Sequence, residues 1–229
     1  METQEIRELF ITYGTRREKK KNQPIYDPTL GLPKGEAYFL DQGIAALNCI
    51  GTNGEEQVYL YFGEQRMIGF SQILAQKYIS NQPMNLLAAP SAFWITAKTP
   101  CVVYAMEESI FNHLLDEMPA FMNAVLGSLT INYLEVINKV QHSHDVGKDI
   151  LFCEWLLNCC VCRKGLCVIP KAFTFSEIAK FLGIHPVTVS RIAKKLKNQG
   201  IIDRKDGYLV IENKEKLLEM VQQKGTGIS

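Results

Sequence analysis

No Lys or Arg occurs between Tyr78 and Ala97, no cysteine precedes Cys49, and the 229 residues hold only four histidines and two tryptophans. Each scarcity excludes something. A phosphodiester buried against the cation-free stretch would lack a counter-charge, which is very costly at low dielectric. A metal centre built on thiols near the N-terminus has no ligands there. His113 and His144 have no partner at ligand spacing, and there is no H-E-x-x-H, nucleophile elbow or glycine-rich phosphate loop. The start, METQEIRELF, has acid where a signal peptide has basic charge, and no run approaches the roughly 18 apolar residues of a membrane span. These absences point to a cytoplasmic, non-enzymatic protein without a membrane segment.

What is present is most specific between Phe173 and Ile211. Ser176 is placed to cap a short helix whose Ile178, Ala179 and Leu182 form an apolar face. Gly183 ends it in a tight turn. A second helix starts after His185, with Pro186 tolerated in its first turn. Val189, Ile192, Ala193 and Leu196 recur at helical spacing and face inward. Hydroxyls and positive charge remain outside, as major-groove reading requires. After Gly200, Ile201-Ile202 and Tyr208–Ile211 read as a two-stranded hairpin turning at Asp206-Gly207. This order is a winged helix-turn-helix. Its DNA-facing candidates are Ser176, His185, Val187, Thr188, Ser190, Arg191, Lys194 and Lys195.

The overall charge of +1 conceals a division: residues 148–229 carry net +6 and residues 1–147 net −5. Only the C-terminal part suits a polyanion. In the N-terminal part, the cluster Arg16-Arg17 and Lys19–Lys21 reads as a solvated charge run. Short extended runs follow at 37–40, 44–50 and 57–62, then at 85–89, 92–97 and 101–106, which together predict an antiparallel roll. Ser109 is placed to cap a helix after them. From Met118 to Gln141 apolar residues keep three- and four-residue spacing on more than one side, with almost no charge. Such a helix packs one face on the roll and offers another to a second copy. Residues 142–147 read as a hinge.

A roll, a long helix and a winged helix-turn-helix resemble the cyclic-AMP receptor and fumarate-nitrate-reduction regulator family of bacterial transcription factors. The carrying motifs are AYFLDQGIAALNCIGTNGEEQVYLYFGEQRMIGF and FSEIAKFLGIHPVTVSRIAKKLKNQGII. Within the family, LYFGEQRMIG and GIHPVTVSR look closest to the halorespiration regulators that sense ortho-chlorinated phenols. The resemblance implies a homodimer on a palindromic promoter site, a small effector in the roll, and RNA polymerase as a partner where the protein activates. Departures matter. The family's phosphate-holding Gly-Glu pair reads Gly69-Phe70 here, so cyclic AMP is not expected, and the iron–sulfur cysteines are missing. The glutamate that many members place three residues before Ser-Arg is Val187, so the operator should be A/T-rich. Tyr59, Tyr61, Phe70, Lys77, Phe93, Trp94 and Tyr133 are the effector-binding candidates around an apolar or aromatic ligand, with Arg66 a further cation. Each aromatic has core packing as its ordinary alternative.

Five of seven cysteines, Cys153, Cys159, Cys160, Cys162 and Cys167, lie close together. They are candidates for a redox switch or a metal site, against buried thiols acting as small hydrophobes. The expected architecture is α+β: an effector-binding roll over 1–116, a dimerisation helix and hinge over 117–145, and a winged DNA-binding domain over 146–229. Two alternatives stand beside effector-responsive regulation. One is a redox or metal response through Cys153–Cys167, the other an effector-independent interaction module carrying a winged domain.

Overall fold

The computed structural model describes residues 1–28, 35–50, 54, 56–79, 93–145, 147–163 and 166–222. The chain divides into two compact units, Met1–Ile137 and Asn138–Ser229, so the division falls inside the long helix rather than beside it.

Among the described residues, the N-terminal unit contains two four-stranded antiparallel sheets. One has the order β1 (Thr15–Lys19), β8 (Cys101–Glu107), β3 (Glu36–Gln42), β6 (Arg66–Ile68). The other has β2 (Pro24–Tyr26), β7 (Phe93–Ala97), β4 (Ala45–Ile50), β5 (Glu56–Phe62). Tyr38, Leu40, Leu60, Phe62, Ile95 and Val103 fill the core that the two sheets share. β3 is buried on both faces, which explains its unbroken apolar run Ala37–Leu40. Its other face, with Phe39, packs under Ile6 and Phe10 of α1 (Thr3–Tyr13), Phe111 of α3 (Glu108–Glu117), and Phe121 and Val125 of α4 (Pro119–Asp145). The expected strand at 85–89 lies outside the described residues.

Several local expectations are corrected. Residues 15–19 of the basic cluster form the strand β1 on β8, because ladder pairing is made by the backbone whatever the side chains. Arg16, Lys20 and Lys21 stay exposed as a solvated run would, whereas Arg17 and Lys19 are half-buried. Arg17 reaches the buried Glu36 with two bonds, 2.8 and 2.6 Å, and the Tyr38 hydroxyl donates to the same carboxylate at 2.9 Å. Burial, then the Glu36 charge, push the Tyr38 phenol well above its ordinary pKa. Ser109 is not a cap. Helix α3 follows β8 directly with Glu107 in the cap position, and the Glu108 amide donates to the Gly35 carbonyl at 2.6 Å. Helix α2 (Ser71–Ile79) lay outside the predicted elements. The long helix continues to Asp145 through the expected hinge, since no Pro or Gly occurs there before Gly147. Its segment Pro119–Ile137 is, by length and composition, apolar enough to cross a membrane, contrary to the expectation that no run comes near this.

The C-terminal unit takes in the end of α4 and then α5 (Lys148–Cys159), whose Phe152, Trp155 and Leu156 anchor its core. Two short strands not foreseen in the sequence follow, β9 (Val161–Arg163) and β10 (Leu166–Ile169). Then come α6 (Phe175–Leu182), α7 (Pro186–Asn198), the hairpin β11 (Ile202–Lys205) and β12 (Tyr208–Ile211), and α8 (Lys214–Gln222). The wing is therefore part of a four-stranded sheet, β11-β12-β10-β9, and not a free hairpin. Asp206 and Gly207 both have positive φ, 51° and 78°, as the expected two-residue turn requires.

Candidate functional site

The helix pair around Gly183 is built from its caps. Thr174, not Ser176, caps α6: its side chain accepts the Glu177 amide at 3.2 Å, and the helix begins at Phe175. Gly183 takes φ 64°, and the Ile184 amide returns to the Ala179 carbonyl at 3.1 Å, closing the turn. His185 caps α7 through Nδ1, which accepts the Val187 amide at 3.3 Å, with Pro186 at the first helical position. Val189, Ile192, Ala193 and Leu196 are buried, so the opposite stripe is fixed in place. Along it lie Val187 (68% exposed), the adjacent Ser190 and Arg191 three and four residues on, and Lys194 one turn further. An apolar side chain this exposed has no packing role in the isolated chain.

The cations of α7 are not equivalent. Lys195 pairs with Asp149 of α5 at 2.8 Å, and Lys197 with Asp203 of β11 at 2.7 Å. Arg191 and Lys194 make no ion pair among the described residues. Ser176 and His185 are exposed at the start of each helix, and Thr188 is half-buried. Sequence reasoning missed two further cations of the wing region. Arg204 lies 4.8 Å from the Phe175 ring centre and Lys171 lies 4.3 Å from that of Tyr208. Their signal was the aromatic residues beside them.

In the N-terminal unit a cleft of about 290 Å³ lies between the roll and α4. Leu60, Phe62, Phe70 and Phe93 line the roll side; Leu129, Asn132, Tyr133 and Val136 line the helix side. None of the described lining residues carries a charge. The cleft thus brings together Phe70, Phe93 and Tyr133 from the seven candidates. Tyr59, Tyr61 and Trp94 are not in its lining, because on β5 it is Val58, Leu60 and Phe62 that face inward. Lys77 is paired with Asp116 at 2.7 Å and is also not in the lining. Behind the wall stands Arg66, donating to both Glu135 oxygens at 2.8 and 3.2 Å and to Asn132 Oδ1 at 2.6 Å.

Cys153, Cys159 and Cys160 are free thiols, and burial pushes Cys153 up to about 11 and Cys159 up to about 12. Cys167 is disulfide-bonded and stands opposite Cys162 in the β9–β10 ladder. Among the described residues no group of three or more His, Cys, Asp or Glu is placed to hold a metal.

Residues 152–220 match the Crp-like helix-turn-helix domain. Solved structures extend the likeness along most of the chain. FixK2 from Bradyrhizobium japonicum is 15% identical, covers 90% of this chain and 96% of its own, and superposes with a TM-score of 0.72. A putative transcriptional regulator of the Crp/Fnr family from Eubacterium rectale is 14% identical, covering 94% and 93%, with a TM-score of 0.68. This chain has the Crp/Fnr regulator fold. CprK in complex with OCPA is 20% identical, covering 94% and 93%, but its TM-score is lower, 0.60. These likenesses show no clear preference for the halorespiration subgroup over other Crp/Fnr members. No curated protein matches the sequence.

Proposed function

We propose that the protein is an effector-responsive, sequence-specific transcription regulator that binds DNA as a homodimer. The observation that carries this reading is the exposed stripe Val187, Ser190, Arg191 and Lys194 on a capped, rigid second helix. Arg191 offers a bidentate donor for guanine, and Val187 an apolar contact for a thymine methyl, where a carboxylate would instead ask for cytosine. An A/T-rich palindrome is the site that follows. Selection from a random duplex library with the full chain, followed by fluorescence anisotropy on the enriched sequence, tests it.

The dimer reading rests on α4. Leu126, Ile131, Tyr133 and Leu134 are each at least half exposed in the single chain. A lipid bilayer is the poorer occupant, since Phe121 and Val125 of the same helix lie in the roll core and Glu135 is held by Arg66. A second copy's α4 fits a parallel seam and matches the two-fold symmetry of a palindrome. The cleft beside this helix is the effector site of the proposal. Its uncharged lining disfavours a cyclic nucleotide and suits a small aromatic ligand, chlorinated phenols included. Cytoplasmic location and contact with RNA polymerase belong to the same reading.

A redox response is a second reading, favoured by one observation: Cys167 is disulfide-bonded in a protein read as cytoplasmic. It would act through Cys167 and not through Cys153 or Cys159, whose burial raises the thiol pKa and keeps them protonated. Operator affinity that is identical with and without dithiothreitol would remove it.

A further inference from the structure

The orientation of one amide in the cleft decides what polar group a ligand there can carry. Arg66 has only donors, so the Asn132 atom that meets it at 2.6 Å is the carbonyl oxygen. The amide nitrogen is then the polar group that Asn132, a lining residue, has left to offer, and none of the described residues accepts from it. The same guanidinium holds both oxygens of Glu135, three residues along α4. The charge of that carboxylate is therefore largely offset by Arg66, so it repels a bound anion less than a bare carboxylate would. Arg66 is itself fixed: its guanidinium lies 5.4 Å from the ring centre of Phe62, another lining residue, and its side chain is 21% exposed.

We propose that Asn132 is the specificity-determining residue of this cleft, that Arg66 is its positioning residue, and that the ligand is an apolar body with one acceptor, best a carboxylate or phenolate. The assignment rests on the effector-cleft reading above. A ligand headed by an ammonium would meet the donor side of an amide backed by a cation, and among the described lining side chains the hydroxyls of Ser71 and Tyr133 are the free acceptors.

Calorimetric titration of the full chain with three compounds of one shape tests it: para-chlorobenzoate, para-chlorotoluene and para-chlorobenzylamine. Wild type should bind the benzoate about tenfold or more tighter than the amine, as a hydrogen bond to a charged group implies. Asn132→Leu should erase that preference while binding chlorotoluene as wild type does. Arg66→Gln, which frees the amide to turn and leaves Glu135 bare, should shift the preference toward the amine. A merely structural Arg66 would weaken all three ligands together. Chlorotoluene binding with no benzoate preference in wild type, or a preference that survives in Asn132→Leu, overturns the assignment and leaves the cleft standing. Binding of none of the three overturns the effector cleft itself, and this inference with it.

Discussion

Arg191 and Lys195 sit one turn apart on the same helix with the same charge, yet their surroundings separate them. Arg191 has no ion-pair partner among the described residues, whereas Lys195 is held by Asp149. Exposed pairs of that kind are worth little, so Lys195 can still exchange Asp149 for a phosphate, but it gains less by doing so. Arg191→Ala should therefore cost roughly 1–3 kcal/mol on the selected operator and much less on scrambled DNA. Lys195→Ala should cost a smaller amount, equal on both, and reduce the salt slope by about 1. Titrations at two salt concentrations read both. The thiols give a second expectation. Cys153 and Cys159, pushed up to about 11 and about 12 by burial, stay protonated well above neutrality. A thiol raised this way favours the folded state below its ordinary pKa near 8.5, and that contribution is lost as pH rises through the folded value. Iodoacetamide at pH 8 should leave both unmodified in the native protein and label both in urea, as mass spectrometry of tryptic peptides would record. The exposed α7 stripe was legible because a polar face opposite four apolar residues has one arrangement on a helix. The cleft residues were only partly so. Val58–Phe62 is apolar or aromatic on both faces, so alternation could not say whether Leu60 and Phe62 or Tyr59 and Tyr61 look inward.

Elements were legible wherever one face is apolar and the ends carry turn chemistry, as in α7 with its Pro186 start and the hairpin with Asp206-Gly207. They were hidden where the stabilising partner is remote in sequence. β1 is almost wholly charged and exists because β8 offers an edge and Glu36 a buried carboxylate. β9 and β10 are too short to show a period, and α2 buries only Ile73. Gly69, with φ 77° and a would-be Cβ 2.8 Å from the Tyr38 ring, ties β6 to the core in a way no local pattern announces. Gly69→Ala should cost at least about 1–2 kcal/mol from the left-handed backbone alone, measurable by urea denaturation. Helix α4 makes the clearest element-scale claim. Leu126→Glu with Leu134→Glu places charge on its exposed face without touching Phe121 or Val125. The double variant should sediment as a folded monomer at micromolar concentration. If it remains dimeric, the seam lies elsewhere.

At the scale of the whole molecule, charge and chemistry are divided along the chain. Net +6 over residues 148–229 accompanies the exposed α7 stripe, and net −5 over 1–147 accompanies the uncharged cleft. In the proposed reading, DNA attraction resides in one unit and ligand selectivity in the other. A ligand can change DNA affinity only by binding the DNA-competent dimer and the alternative state unequally. The order of modules was readable from sequence because each has its own period, 2 in the roll and 3.6 in the helices. The ligand was not, because it depends on which side chains from β5, β7 and α4 converge.

The central claim is that α7 reads sequence within a dimer. The most direct measurement is the stoichiometry and base preference of the complex on duplexes selected from a random library. The account predicts an A/T-rich sequence with two-fold symmetry, bound by two copies, and Arg191→Ala reducing its advantage over scrambled DNA by about tenfold or more. A selected site without symmetry, occupancy by a single copy, or an Arg191→Ala variant that keeps full discrimination would contradict it.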